Sequence, residues 1–282
     1  METILFTVIE GDNNNINNNT GNITTPRLYE QEAIKCFTNW REKAGDLKDI
    51  KIICYAPTKN LPSKETIDSL EKLNVTYIEN YLEESERMEF GFFLVPLVGY
   101  KLEQEYQNTL LIHIDLDMNI IKPIPDTYLD NKIYVGQYDD ISTLSQRRNM
   151  NWKNPLDTGF TISPTNSNFY KIFWEEFSDL YFNKKYEHEE DWLCQNAENG
   201  ICFLEEYVAD KLYNLEILPI NPIQFYQVGE GYAKVSDLSN EELNKVLFWH
   251  EHLFIEDGNW KRTKIRQKIE FFKRLKKLQK DI

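Results

Sequence analysis

The chain has 282 residues and a net charge of −14 at pH 7. It is long enough to bury a large core and too acidic for a nucleic-acid backbone to be its main partner. Sixteen Tyr, sixteen Phe and six Trp mark a packed globular protein and exclude a disordered one.

The charge is uneven. Residues 261–280 carry ten Lys or Arg against the single acid Glu270, so this tail is +9 and the remainder −23. Cys36, Cys54, Cys194 and Cys202 form no C-x-x-C pair and read as reduced thiols. The N-terminal segment has no basic start and no apolar stretch followed by a small-residue cleavage site, so it reads as a strand and not a signal peptide. No run of about 18 apolar residues occurs. A cytoplasmic protein is expected.

In chain order, residues 3–9 form a first strand, and 11–25 a loop dominated by an Asn tract that cannot build a core. Leu28, Ala33, Ile34, Phe37 and Trp40 recur at helical spacing within 26–43. Residues 50–56 read as a buried strand stopped by Pro57, 63–72 as a helix opened by Ser63, and 75–78 as a third strand. This β-α-β-α-β order predicts a doubly wound α/β fold, in which ligands bind outside the carboxyl ends of the strands. No internal linker divides it, so one domain is expected over 1–260, followed by a basic amphipathic helix over 261–282. Residues 83–105 contain Arg87 and a dense apolar set that predicts one helix bent at Pro96.

Leu110-Leu111-Ile112-His113-Ile114-Asp115-Leu116-Asp117 follows. The apolar run reads as a strand buried on both faces and ends in two carboxylates. Side chains at i and i+2 of an extended segment share a face, so Asp115 and Asp117 could close on one hard cation. The alternative is two carboxylates solvated at a strand end or capping a turn, although the apolar segment 118–125 that follows reads as extended. Residues 132–137 and Asn154-Pro155-Leu156-Asp157-Thr158-Gly159-Phe160-Thr161-Ile162-Ser163-Pro164 supply further extended segments. An aromatic helix is predicted over 169–180, an acidic patch over 187–191, a helix over 203–212 opening near Glu205 and Glu206, and a short extended piece over 215–220. Val246-Leu247-Phe248-Trp249-His250-Glu251-His252 is apolar and ends in two histidines. In the tail, Ile265, Ile269, Phe272 and Leu275 fall on one helical stripe. Docking of that stripe on the acidic body, or contact with an anionic membrane surface, would each use it.

Four of these segments, in this order, resemble the GT-A-fold glycosyltransferases and among them the glycogenin-like enzymes. They are the Arg87 helix with Asp115-Leu116-Asp117, then Asp157-Thr158-Gly159-Phe160 with Ser163-Pro164, then Glu205-Glu206, then Leu247-Phe248-Trp249-His250. The resemblance implies a GT-A (Rossmann-like) single domain with a mixed, mainly parallel sheet flanked by helices. It implies a nucleotide-sugar donor, taken as a UDP-sugar, a divalent cation (Mn²⁺ or Mg²⁺) and transfer with retention to a glycan, protein or small-molecule hydroxyl.

The metal ligands it implies are Asp115, Asp117 and either His250 or His252, since Glu251-His252 stands where the family has a Gly. Asp115, Leu116, Asp117 and Arg87 would face the diphosphate, and Thr7, Val8 and Ile9 would line the base pocket. Asp157 would touch the donor sugar, and Glu205 and Glu206, in place of the commoner Asp-Gln, would hold sugar or acceptor hydroxyls. Breaking a sugar–phosphate bond leaves a charged nucleoside diphosphate, and an acid pair with an imidazole can hold the cation that neutralises it.

Two other readings use the same residues. One is a nucleotide-sugar or glycan-binding protein without turnover. The other is a haloacid-dehalogenase-like phosphohydrolase, whose Asp-x-Asp lies on the first strand and is followed by Thr or Val where this chain has Asn119.

Overall fold

The apolar runs become the buried strands of a central sheet. In the computed structural model the described residues are 1–12, 29–87, 91–137, 156–183, 215–221, 224–227, 235–250 and 258–278. The Asn tract, the acidic patch at 187–191, the predicted helix at 203–212 and His252 lie outside them.

Strands β1 (Glu2–Val8), β2 (Lys51–Ala56) and β3 (Val75–Glu79) alternate with helices α1 (Tyr29–Lys43) and α2 (Lys64–Lys72). Helix α3 (Val95–Glu105) leads into β4 (Thr109–Ile114), which adds in parallel on the other side of β1. Strands β5 (Met118–Ile120), β6 (Tyr134–Gln137) and β7 (Leu156–Pro164) follow, then helix α4 (Phe169–Asn183) and β8 (Leu218–Pro219). The sheet runs β3-β2-β1-β4-β7-β6-β8, parallel except where β7 pairs with β4 and β6. A smaller sheet, β5-β10-β9, is completed by β9 (Phe225–Gln227) and β10 (Phe248–His250), with α5 (Asn240–Lys245) before β10 and α6 (Gly258–Leu278) after it.

The architecture is therefore mixed α/β, a mainly parallel sheet flanked by helices, as the sequence predicts. Two cores cover the sheet faces, one around Phe6, Phe93 and Phe173 and the other around Phe37, Trp40 and Phe160. Leu110, Leu111 and Ile112 of β4 are fully buried, each contributing about 1.5–3 kcal/mol. Cys36 and Cys54 are buried free thiols.

Three local expectations need correction. Residues 83–105 are not one bent helix: Glu83–Arg87 and Gly91–Leu94 are 3₁₀ turns, and Pro96 sits in the first turn of α3. Proline lacks an N–H that the first turn would leave unbonded anyway, so it starts the helix instead of kinking it.

The tail helix begins at Gly258, and its buried stripe is rotated. Phe271 and Leu275 pack on Tyr226 and Trp249, whereas Ile269 and Phe272 are exposed. Polar anchoring explains the rotation: Arg274 donates to the carbonyls of Val235 and Leu238, and Gln267 Oε1 accepts from Val235 N. The third correction, at Asp115 and Asp117, belongs to the site.

Helix α4 has a tertiary cap. Glu103 on α3 accepts hydrogen bonds from Tyr170 N (3.0 Å) and Lys171 N (3.1 Å), satisfying donors that its first turn leaves open. Burial pushes the Glu103 carboxyl up to about 7 from 4.5, against the pull of those N–H bonds. Its folded-state value lies above its unfolded one, so its stabilisation is complete below pH 4.5 and is lost as pH rises to about 7. Glu103→Gln keeps the acceptor and removes the titration. Thermal unfolding followed from pH 4.5 to 7 is expected to show a flatter midpoint profile than wild type.

Candidate metal centre

The centre is assembled where β4 stops. The ladder to β7 continues one step beyond the strand, Asp115 N donating to Gly159 O at 2.8 Å. Met118 N then donates to Asp115 O at 3.1 Å, closing a turn over Asp115-Leu116-Asp117-Met118 from which β5 departs. The two carboxylates therefore do not share a face of one extended strand, as sequence spacing predicts; the turn between the strands brings them together.

The small sheet supplies the third group. β10 runs antiparallel to β5 and pairs His250 with Met118, beside Asp117. His250 Nε2 lies 3.0 Å from Asp117 Oδ1 and 3.8 Å from Asp115 Oδ2, and its Nδ1 is 3.7 Å from Asp157 Oδ2. The Phe225 ring, with its centroid 5.6 Å away, packs against the imidazole. Asp115, Asp117 and His250 each offer one ligand atom, all within 4.8 Å of one another.

β7 contributes through an irregularity. Its pairing with β6 jumps between Val135 and Gly136, from Thr161 to Asp157, so residues 158–160 have no partner on that strand. Bulges of this kind re-aim side chains. Here Asp157 Oδ1 accepts from Gly159 N (2.8 Å), and Thr158 O bonds His113 Nδ1 (2.9 Å). A carbonyl can only accept, so Nδ1 carries the His113 proton and Nε2 presents a lone pair. That buried Nε2 has no hydrogen-bond partner among the described residues and lies 3.8 Å from Asp115 Oδ1. Burial pushes the His113 imidazole down to about 4, the Thr158 bond opposing it.

Gly159 is required by close approach. A Cβ there would stand 2.6 Å from Asp115 Oδ2 and 2.9 Å from Asp157 Oδ1. Behind the turn, Cys36 Sγ of α1 approaches Asp115 O (3.9 Å), and Asn39 Nδ2 donates to Asn119 Oδ1 (3.1 Å).

The electrostatics are those of an acid-rich pocket. Asp117 and Asp157 are buried, while the Asp115 side chain keeps 41% of its surface and forms the solvent-facing side. Like charges 4 Å apart repel by about 4 kcal/mol at an intermediate dielectric, so three carboxylates around one imidazole demand positive charge. Burial raises the Asp115 carboxyl, His250 opposes that rise, and Asp117 and Asp157 add to it. Burial alone would push His250 down, but Asp117, then Asp157 and Asp115, outweigh it and lift the imidazole to about 9.

The donor set fits a divalent cation. Two carboxylates suit Mg²⁺ or Mn²⁺, and the imidazole tilts the preference toward Mn²⁺. A cation must displace the His250 proton, so Mn²⁺ affinity is expected to climb as pH rises from 6.5 to about 9. Calorimetric titrations across that range check this; a flat profile would mean that His250 stays out of the coordination shell.

The other predicted site residues are placed as follows. Thr7, Val8 and Ile9 are buried at the carboxyl end of β1, which pairs with β4 through Phe6 and His113. Leu116 is buried in the turn itself. Arg87 is exposed on its 3₁₀ turn, its guanidinium 3.9 Å from the centroid of the Phe182 ring. Glu205 and Glu206 lie outside the described residues. Sequence reasoning missed His113. His113 was legible: a histidine inside a Leu/Ile run, two residues before Asp115, falls on that residue's face of the strand.

By sequence, the chain matches no protein-family model and no curated protein. Solved structures are similar to it. The glycosyltransferase GlyE of Streptococcus pneumoniae TIGR4 aligns over 98% of this chain at 10% identity with a TM-score of 0.51. The chain spans 63% of the length of that structure. A glycosyltransferase involved in the glycosylation of the major capsid of PBCV-1 aligns over 95% of this chain and all of its own, at 11% identity and a TM-score of 0.44. At these identities the likeness to GlyE is one of fold.

Proposed function

We propose that the chain is a divalent-metal-dependent glycosyltransferase of the GT-A, glycogenin-like type, moving a sugar from a UDP-sugar to a hydroxyl acceptor with retention. The observation that carries this reading is the convergence of Asp115, Asp117 and His250 from a β-turn and a second sheet, at the carboxyl edge of the parallel strands. Ligands of open α/β sheets bind at that edge. The GlyE fold likeness agrees with it, and a phosphohydrolase reading of Asp-x-Asp gives His250 no task.

In this account Asp115, Asp117 and His250 hold Mn²⁺ or Mg²⁺. A cation bound there supplies Lewis-acid stabilisation of the departing diphosphate. The protein's own groups do the rest. Asp157, fixed by Gly159 N, orients a hydroxyl of the donor sugar, while Thr7, Val8 and Ile9 border the base. Arg87, which stands over the Phe182 ring, is assigned to the diphosphate, and Glu205 and Glu206 to the sugar and acceptor hydroxyls.

The test is a panel of nucleotide-sugars incubated with the protein with and without Mn²⁺, followed by release of nucleoside diphosphate and by the mass of any glycosylated acceptor. Metal-dependent release from one UDP-sugar is expected. Tight metal-dependent UDP binding with no release from any donor would establish a binding protein instead.

A further inference from the structure

Helix α6 is amphipathic twice over. At 100° per residue, Gln267, Phe271, Arg274, Leu275 and Leu278 fall on one side, and these residues pack on or bond the body. The opposite side is centred on Ile269, which is 51% exposed, and Phe272, at 36%. Lys268, Lys273 and Lys276 line the same shallow outer surface. The apolar pair therefore lies between cations on both flanks.

The geometry points to this outer face of α6 as the surface by which the protein lies on an anionic lipid bilayer. Three observations select that occupant. The face belongs to a helix already fastened to the body and holds only a shallow, wide-open hollow, so it offers a strip and not a deep groove for a peptide. Lys268, Lys273 and Lys276 make the face positive, within a segment that is +9 over 261–280, whereas the rest of the chain is −23. An anionic surface would repel the body and accept only this strip, which fixes the orientation of the protein. Exposed apolar side chains flanked by lysines match interfacial insertion, where the rings and branched chains enter the acyl boundary and lysines reach the headgroups. Among the described residues no helix is long and apolar enough to cross a membrane. The lipid contact is independent of the proposed sugar transfer.

The experiment is sedimentation of the full chain with vesicles of phosphatidylcholine alone or with about one third phosphatidylglycerol, at low and high salt. Binding only to the phosphatidylglycerol vesicles, weakened by salt, is expected. Ile269→Glu/Phe272→Glu and Lys268→Glu/Lys273→Glu/Lys276→Glu should each weaken it at least about ten-fold. Far-UV circular dichroism reports whether these variants stay folded, since Phe272 also packs near Trp249 and Lys268 is half-buried; Ile269→Glu and Lys273→Glu/Lys276→Glu, at exposed positions only, should weaken binding in the same direction. Equal binding to both vesicle types, no binding to either, or undiminished binding by these variants would overturn the inference. So would lipid-independent self-association abolished by the same substitutions, which would assign the strip to the acidic body of a second copy.

Discussion

Replacing Asp117 with Asn is expected to lower Mn²⁺ affinity at least about a hundred-fold, more than the typical loss for a residue that merely supports a metal ligand. Metal-dependent turnover should fall with it, while the metal-free thermal midpoint should stay within a few degrees. The carboxylate is buried and is the closest acid to His250, at 3.0 Å. Asn fills the same space and keeps an oxygen, but as a neutral and weaker donor. Breaking a buried ion pair ordinarily costs about 3–5 kcal/mol because a charge is left without a partner. Here the cost is contained, since His250 retains Asp157 and Asp115 nearby and can fall back toward its neutral form. A purely structural Asp117 would give the opposite pattern, a large drop in the thermal midpoint with Mn²⁺ binding intact. Calorimetric metal titration beside thermal unfolding distinguishes the two.

Gly159→Ala should leave the protein folded and the site disabled. The added methyl would stand 2.6 Å from Asp115 Oδ2 and 2.9 Å from Asp157 Oδ1, so at least one carboxylate must move. Displacing a reacting or coordinating group by about 1 Å costs on the order of a hundred-fold in rate. Because Asp115 is partly exposed it can swing outward, and the stability loss should fall at or below the roughly 1–3 kcal/mol typical of overpacking. Gly99→Ala is the contrasting variant. Its Cβ would meet the fully buried Tyr170 ring at 2.4 Å, between α3 and α4. That ring cannot yield, so this variant should lose stability in denaturant unfolding while the surviving folded fraction binds Mn²⁺ normally.

These contrasts show how far the amino-acid sequence carries. The β-α-β-α-β opening is legible because β1 and β2 are largely apolar, buried runs and Ser63 is a helix cap whose hydroxyl accepts from Thr66 N. The apolar stretch ending in His250 is legible for the same reason. Asp115 and Asp117 were legible as a pair but not in their geometry. A spacing of two fits a strand face, and only the bond from Met118 N to Asp115 O makes the segment a turn. The pairing of β10 with β5, which sets His250 against Asp117, joins segments about 130 residues apart in sequence and leaves no local mark. Neither does the β7 irregularity that turns Thr158 O toward His113. The rotated stripe of α6 follows from polar anchors, Arg274 and Gln267, that a hydrophobic pattern does not register.

One cation held by Asp115, Asp117 and His250 and facing a nucleoside diphosphate is the central expectation. Titration of the protein with Mn²⁺ in the presence and absence of UDP, read by the loss of the free-ion electron paramagnetic resonance signal, addresses this directly. One Mn²⁺ bound per chain, held more tightly with UDP and released in Asp117→Asn, is predicted. Equal Mn²⁺ binding by the wild type and Asp117→Asn, or binding indifferent to UDP, would contradict it.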